Sequence, residues 1–398
     1  MRIVSLTLIA ISAVCAQSRE NQPRVFILDA KVLREQKAHP SSTLLNAVRS
    51  AADKVMNQGP YSVMDKNRAP TSGDKHDYMS QAPYFWRNPA TPNGLPYVRR
   101  DGERNPEILG ITDHSEMDRV DSMSQALALA YYFTGDEKYA ERAALLLRSW
   151  FLNPDTRMNP NLTFAQAVPG VNDGRGIGII ESRSLTKTVD AVGLLAGSPA
   201  WSDADQKGME EWLSKFLAWL RESPHGRDES RAENNHGTFY DVQVADFALF
   251  VGDAELARKT VTTAESKRIA VQIERDGKQP KELDRTKGMS YSVMNLGGLM
   301  LLATLGDRAG VDLWHFQTHD GRSIRGALDW LMPYLTGKKW PYQQIDEYKG
   351  SDMIPWLLRA TAAYGDRNYE EVADQLGKPS DELESLLLRA AIARSMSR

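Results

Sequence analysis

Asn234-Asn235-His236-Gly237 sets two amides and an imidazole side by side, just before an apolar helical run from Val242 to Val251. Asparagine is a poor helix former and a good cap, so the pair marks a turn or a helix start. His236 then lies near the positive N-terminal end of the next helix, which disfavours the imidazolium and keeps a neutral base available near pH 7. Asn235 can donate through its amide nitrogen without adding charge. Downstream, Gln279-Pro280, Glu282, Arg285 and Tyr291 form a second polar cluster. Arg285 is a permanent cation able to hold a carboxylate bidentately. Tyr291 opens an apolar helix (Met294, Leu296, Leu299, Leu301), and beside an arginine its phenol can give or take a proton. If the two clusters meet, they can neutralise a carboxylate, remove the proton on the adjacent carbon and protonate a leaving oxygen. That is the chemistry of β-elimination on a uronic acid. Taken singly, each cluster also matches something simpler: a capped helix with a polar loop histidine, or a surface ion pair beside a core tyrosine.

The elements that must position these residues are mostly helices. Ser41-Ser42 can cap a helix through about Met56, with Leu44, Leu45, Val48, Ala52 and Val55 on one face. Further helices are expected at about 121–133, 138–151, 182–196, 204–221, 238–251, 254–273, 289–305, 321–335, 352–364 and 380–396. No run of alternating strands stands out. Residues 58–115 and 153–180 lack helical periodicity and are rich in proline and glycine; irregular stretches this long inside a compact domain usually serve function. A glycine followed by a capping residue recurs at Gly135-Asp136, Gly197-Ser198, Gly252-Asp253, Gly306-Asp307 and Gly365-Asp366, at spacings of 62, 55, 54 and 59. Each interval has room for two helices, so the period predicts stacked helical hairpins, as a solenoid or a closed ring.

The chain has 398 residues, 41% hydrophobic and 25% charged, which is ordinary globular composition and ample for a large core. Its formal net charge of −3 gives no electrostatic footprint for nucleic acid, so an anionic substrate must be met by locally placed cations. Residues 1–16 have the pattern of a secretory signal: Arg2, an apolar stretch from Ile3 to Val14, and Val14-Cys15-Ala16 as a small-residue cleavage site. The stretch is short for a membrane span, so no membrane partner is expected, and residues 17–398 are expected to form one secreted or periplasmic domain. Cleavage removes Cys15, the chain's one cysteine, leaving no disulfide. A lipid anchor on Cys15 is the alternative, but Val14 is bulky for the position before a lipidated cysteine.

Four ordered segments resemble the alginate lyase superfamily, most closely polysaccharide lyase family 38. They are Lys75-His76-Asp77-Tyr78-Met79-Ser80-Gln81-Ala82-Pro83-Tyr84-Phe85-Trp86, Gly174-Arg175-Gly176-Ile177-Gly178-Ile179-Ile180, Asn234-Asn235-His236-Gly237-Thr238-Phe239-Tyr240, and Gln279-Pro280-Lys281-Glu282 with Arg285 and Tyr291. The resemblance runs from about residue 60 to 365. It implies an all-α fold, an (α/α) toroid or incomplete barrel of about six to seven helical hairpins. It implies a catalytic groove lined by Asn235, His236, Arg285 and Tyr291, and no cofactor. Phe239 stands where relatives often have tryptophan. Family members differ in substrate, so alginate and glucuronan both remain open.

The substrate's chemistry assigns the roles. The C5 proton of a uronate becomes acidic only if its carboxylate is neutralised, which falls to Asn235 with His236 or Arg285 assisting. In β-mannuronate or β-glucuronate the C5 proton and the leaving O4 lie on one face, so Tyr291 could serve both steps if it starts as a phenolate. In guluronate they lie on opposite faces, with His236 as base and Tyr291 as acid. Neither route needs a metal. Tyr84 and Trp86 can stack on sugar faces, and Gln81, Gln166, Arg175, Asn234 and Tyr240 are further candidates for substrate contact. A glycoside hydrolase would need two flanking carboxylates, and among Asp77, Glu233 and Asp241 no pair stands out. A non-catalytic sugar-binding module would need no His236 or Tyr291. His315 and His319 have i,i+4 spacing, but no glutamate follows His315 as a zinc helix requires.

Overall fold

The computed structural model describes residues 22–379 and 381–396, so the signal-like segment 1–16 lies outside the described residues. The chain begins with α1 (Ala30–Ala38) and α2 (Ser42–Asp53), whose caps Asp29 and Ser41 accept hydrogen bonds from first-turn amides. After the long irregular segment come α3 (Asp113–Thr134) and α4 (Glu137–Leu147), then α5 (Leu185–Leu194), α6 (Asp203–Glu222) and α7 (Pro224–Ser230). They are followed by α8 (Asn235–Val251), α9 (Ala254–Ala264), the short α10 (Pro280–Leu283) and α11 (Gly288–Ala309). The last are α12 (Ile324–Leu335), α13 (Ile354–Tyr364), α14 (Arg367–Gln375) and α15 (Glu382–Met396).

The helices sort into two layers by how their apolar residues are distributed. In α6, Met209, Trp212, Leu213, Phe216, Leu217 and Leu220 form one buried stripe at helical spacing, so one face packs inward and the other meets water. In α5, α8 and α11 buried residues go all the way round, which marks them as inner helices. The inner row runs from α3 to α5, α8, α11 and α13, and α15 then packs on α13 and also on α1 and α2, bringing the two ends together. Arg394 Nε joins this seam by donating to both carboxylate oxygens of Glu35, at 2.8 and 2.9 Å. This is an all-α (α/α) toroid. α11 is apolar and long enough to cross a membrane by composition, but 78% of its most apolar window is buried inside the ring. α8 is the seam of the interior: Val244, Phe247, Ala248 and Phe250 enter one apolar cluster, and Val242 and Ala245 enter the other.

The glycine period holds at three of its five points. Gly135, Gly252 and Gly365 are left-handed at φ +70, +87 and +69, and Asp136, Asp253 and Asp366 cap the helices that follow. Gly197 also turns at φ +88, but the next helix waits for the capping box of Ser202. Gly306-Asp307 is no break. α11 runs through it to Ala309 and is capped by Gly310. Gly306 serves close approach instead, since a Cβ there would lie 2.5 Å from the Val311 carbonyl oxygen. Helices α1, α7 and α14 carry shorter apolar patterns and were not anticipated from periodicity.

The irregular segments before α3 and after α4 meet over one end of the ring in two small ribbons. β1 (Met79–Gln81) pairs in parallel with β4 (Phe164–Ala167), and β2 (Phe85–Trp86) pairs antiparallel with β3 (Val98–Arg99). A buried ion pair pins this lobe to the start of α3: Lys66 Nζ lies 3.0 Å from Asp113, which also accepts from Met79 N at 2.9 Å. Burial pushes the Asp113 carboxyl up to about 6 against the pull of Lys66.

Candidate active site

Where the lobe meets the N-terminal ends of α8 and α11 there is a cleft of about 710 Å3. Asn234 caps α8, its side chain accepting from His236 N, and so Asn235 and His236 begin the helix at the cleft wall. Gly237 is required there, because a Cβ would come within 2.0 Å of the Ala232 carbonyl oxygen. The turn is braced from behind by Arg268, fully buried, which pairs with Asp241 at 2.7 Å and donates to the carbonyls of Ser230 and Ala232.

The His236 ring faces Glu229, with Nδ1 2.8 Å from a carboxylate oxygen on a side chain that has no solvent contact. A carboxylate only accepts, so Nδ1 carries the hydrogen and Nε2 is the nitrogen left for proton transfer. The helix end is thus only half of the environment expected for this histidine. Glu229 gives no local signal, because seven residues and a helix break separate it from its partner.

Asn235 differs from the expectation. Its backbone N donates to Glu282 at 2.6 Å, and its Nδ2 donates to both Glu282 oxygens at 3.0 and 2.8 Å. The amide nitrogen is committed to Glu282, and Oδ1 is the buried atom without a protein partner. Burial raises the Glu282 carboxyl above its usual range, opposed by the Asn235 bonds and by the charges of Arg285 and His236. A protonated Glu282 could instead donate to a rotated amide, which would turn the Asn235 nitrogen to where Oδ1 now lies.

Tyr291 stands in the first turn of α11. Its hydroxyl accepts from Arg285 Nη2 at 3.0 Å and donates to the Tyr84 hydroxyl at 2.8 Å, while the guanidinium carbon lies 4.0 Å from the ring centroid. Burial pushes the phenol well above its ordinary value, with the Tyr84 bond adding to the rise and Arg285 opposing it. Arg285 is itself gripped by Asp101 from the lobe, at 2.9 and 3.1 Å, and Asp101 also accepts from Arg99 at 2.7 Å.

The two clusters therefore do meet, and the lobe closes over them. The cleft wall holds Arg99, Arg104, Arg175, Arg183, Lys281 and Arg285 against the glutamates Glu181 and Glu233. Glu181 is tied up by the hydroxyls of Tyr78 and Ser80, and Glu233 by Lys281 at 2.6 Å. Local cations thus line a pocket on a chain of net negative charge, as an anionic substrate demands.

A family model described as alginate lyase matches residues 62–340. The chain belongs to the alginate lyase family. It is a polysaccharide lyase by that membership. Its fold superposes on the crystal structure of an alginate lyase from Bacteroides ovatus with a TM-score of 0.87 at 41% identity, covering 92% of this chain and 98% of that one. It also matches alginate lyase A1-III from Sphingomonas species A1 at TM-score 0.59 and 17% identity, covering 89% and 91%, a likeness of fold alone. A variant of that enzyme was crystallised in complex with a tetrasaccharide. No curated protein sequence matches the chain significantly.

The other candidates of this family member divide in two. Gln81, Tyr84, Gln166, Arg175 and Asn234 line the cleft. Gln166 is held by Arg175, whose Nε and Nη2 donate to its carbonyl and Oε1 at 2.9 and 3.0 Å. Burial lowers the Arg175 guanidinium to about 10. Trp86 and Tyr240 do not line the cleft. Trp86 donates its Nε1 to the Glu103 carbonyl and lies under the Arg100 guanidinium. Tyr240 points into the core, donates to the Leu220 carbonyl at 3.1 Å, and is pushed up to about 12 by burial. Helix geometry explains this: Tyr240 lies four residues on from His236, on the same face but one turn further from the cleft, where it meets the core beside Leu220. Asp101, Glu229, Arg99, Arg104 and Arg183 were missed; Arg99-Arg100 inside an irregular loop was the one available sign. His315 pairs with Asp312, and no metal-binding group of acidic, histidine or cysteine residues occurs among the described residues.

Proposed function

We propose that the chain cleaves alginate by β-elimination at mannuronate-containing stretches, leaving a 4,5-unsaturated uronate end. The observation that carries this is the Tyr291 hydroxyl held between Arg285 and Tyr84 in a cation-lined cleft. The sugar carboxylate enters among Arg175, Arg285 and His236, which lowers the cost of the C5 carbanion. Tyr291 loses its proton through Tyr84 to solvent, and Arg285 stabilises the phenolate. The phenolate takes the C5 proton, the C5–C4 double bond forms as the C4–O4 bond breaks, and the same proton passes to O4. His236, oriented by Glu229, serves as base on the opposite face for guluronate. Asn235 holds the α8 terminus to Glu282, and with Glu282 protonated its amide turns to the carboxylate. Glucuronan presents the same one-face geometry and is the second reading, because glucuronate differs from mannuronate only in the configuration at C2, away from the C5 proton and the leaving O4. The pattern of residues 1–16 supports a secreted or periplasmic location, with residues 17–398 as one lyase domain.

The deciding experiment is a panel of polymannuronate, polyguluronate, glucuronan and hyaluronan, followed by ultraviolet absorbance of the unsaturated product. Polymannuronate should give the highest kcat/KM. Reducing ends without that absorbance would mark a hydrolase and overturn the proposal.

A further inference from the structure

The β1–β4 ribbon separates the cleft from a second hollow of about 500 Å3, and the two share Ser80, Gln81 and Ile111 in their walls. Three features converge on this ridge. Its register slips between Met79 and Gln81. Gln166, on β4, holds φ 51, the single positive φ among described non-glycine residues. Such strain persists where surrounding structure enforces it, and it gathers at ligand sites. Gln81 is 8% exposed, yet its Nε2 has no protein partner. A buried donor left unpaired is costly, and this one sits in the wall common to both hollows. The second hollow also holds Arg68, an exposed cation that makes no ion pair among the described residues. Asp173 in the same wall accepts from Thr71 Oγ1 at 3.1 Å, and Val171 is 62% exposed.

We propose that this hollow is a distal subsite for the polymer, occupied by a uronate residue remote from the bond being cut. The polymer crosses the ridge at Gln81, whose Nε2 donates to a sugar oxygen. Beyond it Arg68 takes a carboxylate, Asp173 accepts from a ring hydroxyl, and Val171 supports a C–H face. The assignment rests on the reading of the cleft as a uronate-polymer site, since it takes the same chain as the occupant.

The test uses the full chain carrying Tyr291→Phe, so that ligand survives, titrated calorimetrically with mannuronate oligomers of graded length. Affinity should climb with length until the hollow is filled. Adding Arg68→Ala should lower affinity for the longest oligomers by about tenfold and bring the plateau to a shorter length. Arg68→Lys should recover part of the loss. Arg68 is exposed, so folding is not at stake, and the thermal midpoint checks this. An unchanged plateau, an equal loss at every length, or no binding at any length overturns the subsite. Failure of the lyase assignment looks different: length-dependent, Arg68-sensitive binding with no cleavage of any polymer by the unsubstituted chain.

Discussion

The wall that carries His236 is anchored from behind by groups with almost no solvent contact, whereas the wall that carries Tyr291 is anchored from the front by a loop. Behind the first, the Arg268 side chain is fully buried against Asp241, Glu229 has no exposure, and Glu282 is 1% exposed. Before the second, Asp101 and Arg285 keep 20% and 17% of their side-chain exposure, and Tyr84 comes from the same lobe as Asp101. Removing one partner of a buried pair strands a charge in low dielectric, while water partly compensates a half-exposed one. The histidine wall should therefore fail by unfolding, and the tyrosine wall by mis-tuning. The lobe supplies both Asp101, which holds Arg285, and Tyr84, which holds the Tyr291 hydroxyl.

The comparison can be broken in four ways, from the largest effect to the smallest. Tyr291→Phe should lower kcat on polymannuronate by at least about 10³-fold, within the range for a lost acid–base group, while calorimetric binding persists. Near-normal turnover would remove Tyr291 from the chemistry. Arg268→Ala should cost about 3–5 kcal/mol of stability through the stranded Asp241, read as a fall in denaturation midpoint; a loss under 1 kcal/mol would mean that the buried brace is not what holds α8 in place.

Asp101→Asn should leave the denaturation midpoint nearly unchanged but lower kcat by on the order of tenfold, because Arg285 loses its placement. It should also move the acid limb of the pH profile. The Tyr291 phenol is raised by burial, so turnover of polymannuronate climbs toward alkaline pH as the phenolate becomes accessible. Asp101 adds to that rise but Arg285 opposes it more strongly; with Arg285 out of place the phenol's pKa climbs and the limb shifts to higher pH. A limb that stays put would make Asp101 a mere loop anchor. The smallest effect is expected of Tyr240→Phe, which loses one buried hydrogen bond, about 1 kcal/mol, and leaves KM unchanged. A rise in KM would return Tyr240 to the substrate site.

Much of the ring was legible because its signals are local. The stripe of α6, the caps at Gly135-Asp136, Gly252-Asp253 and Gly365-Asp366, and the turn at Asn234 each depend on neighbours within a few residues. Gly306 shows the limit of the same logic. A glycine that ends a helix and a glycine that admits a neighbouring carbonyl look alike in one dimension, and the Val311 oxygen alone distinguishes them.

By itself the sequence determined that two polar clusters, each at the start of an apolar helix, could act on a uronate, since residue type and helical periodicity are properties of short stretches. Only the tertiary structure decided what surrounds them. Asp101 reaches Arg285 across 184 residues, Glu229 claims one nitrogen of His236, Glu282 claims the amide of Asn235, and Tyr240 turns into the core. The physical reason is that charge pairing and burial depend on distance in space. The lobe sets those distances by docking on the ring, and no spacing along the chain encodes them.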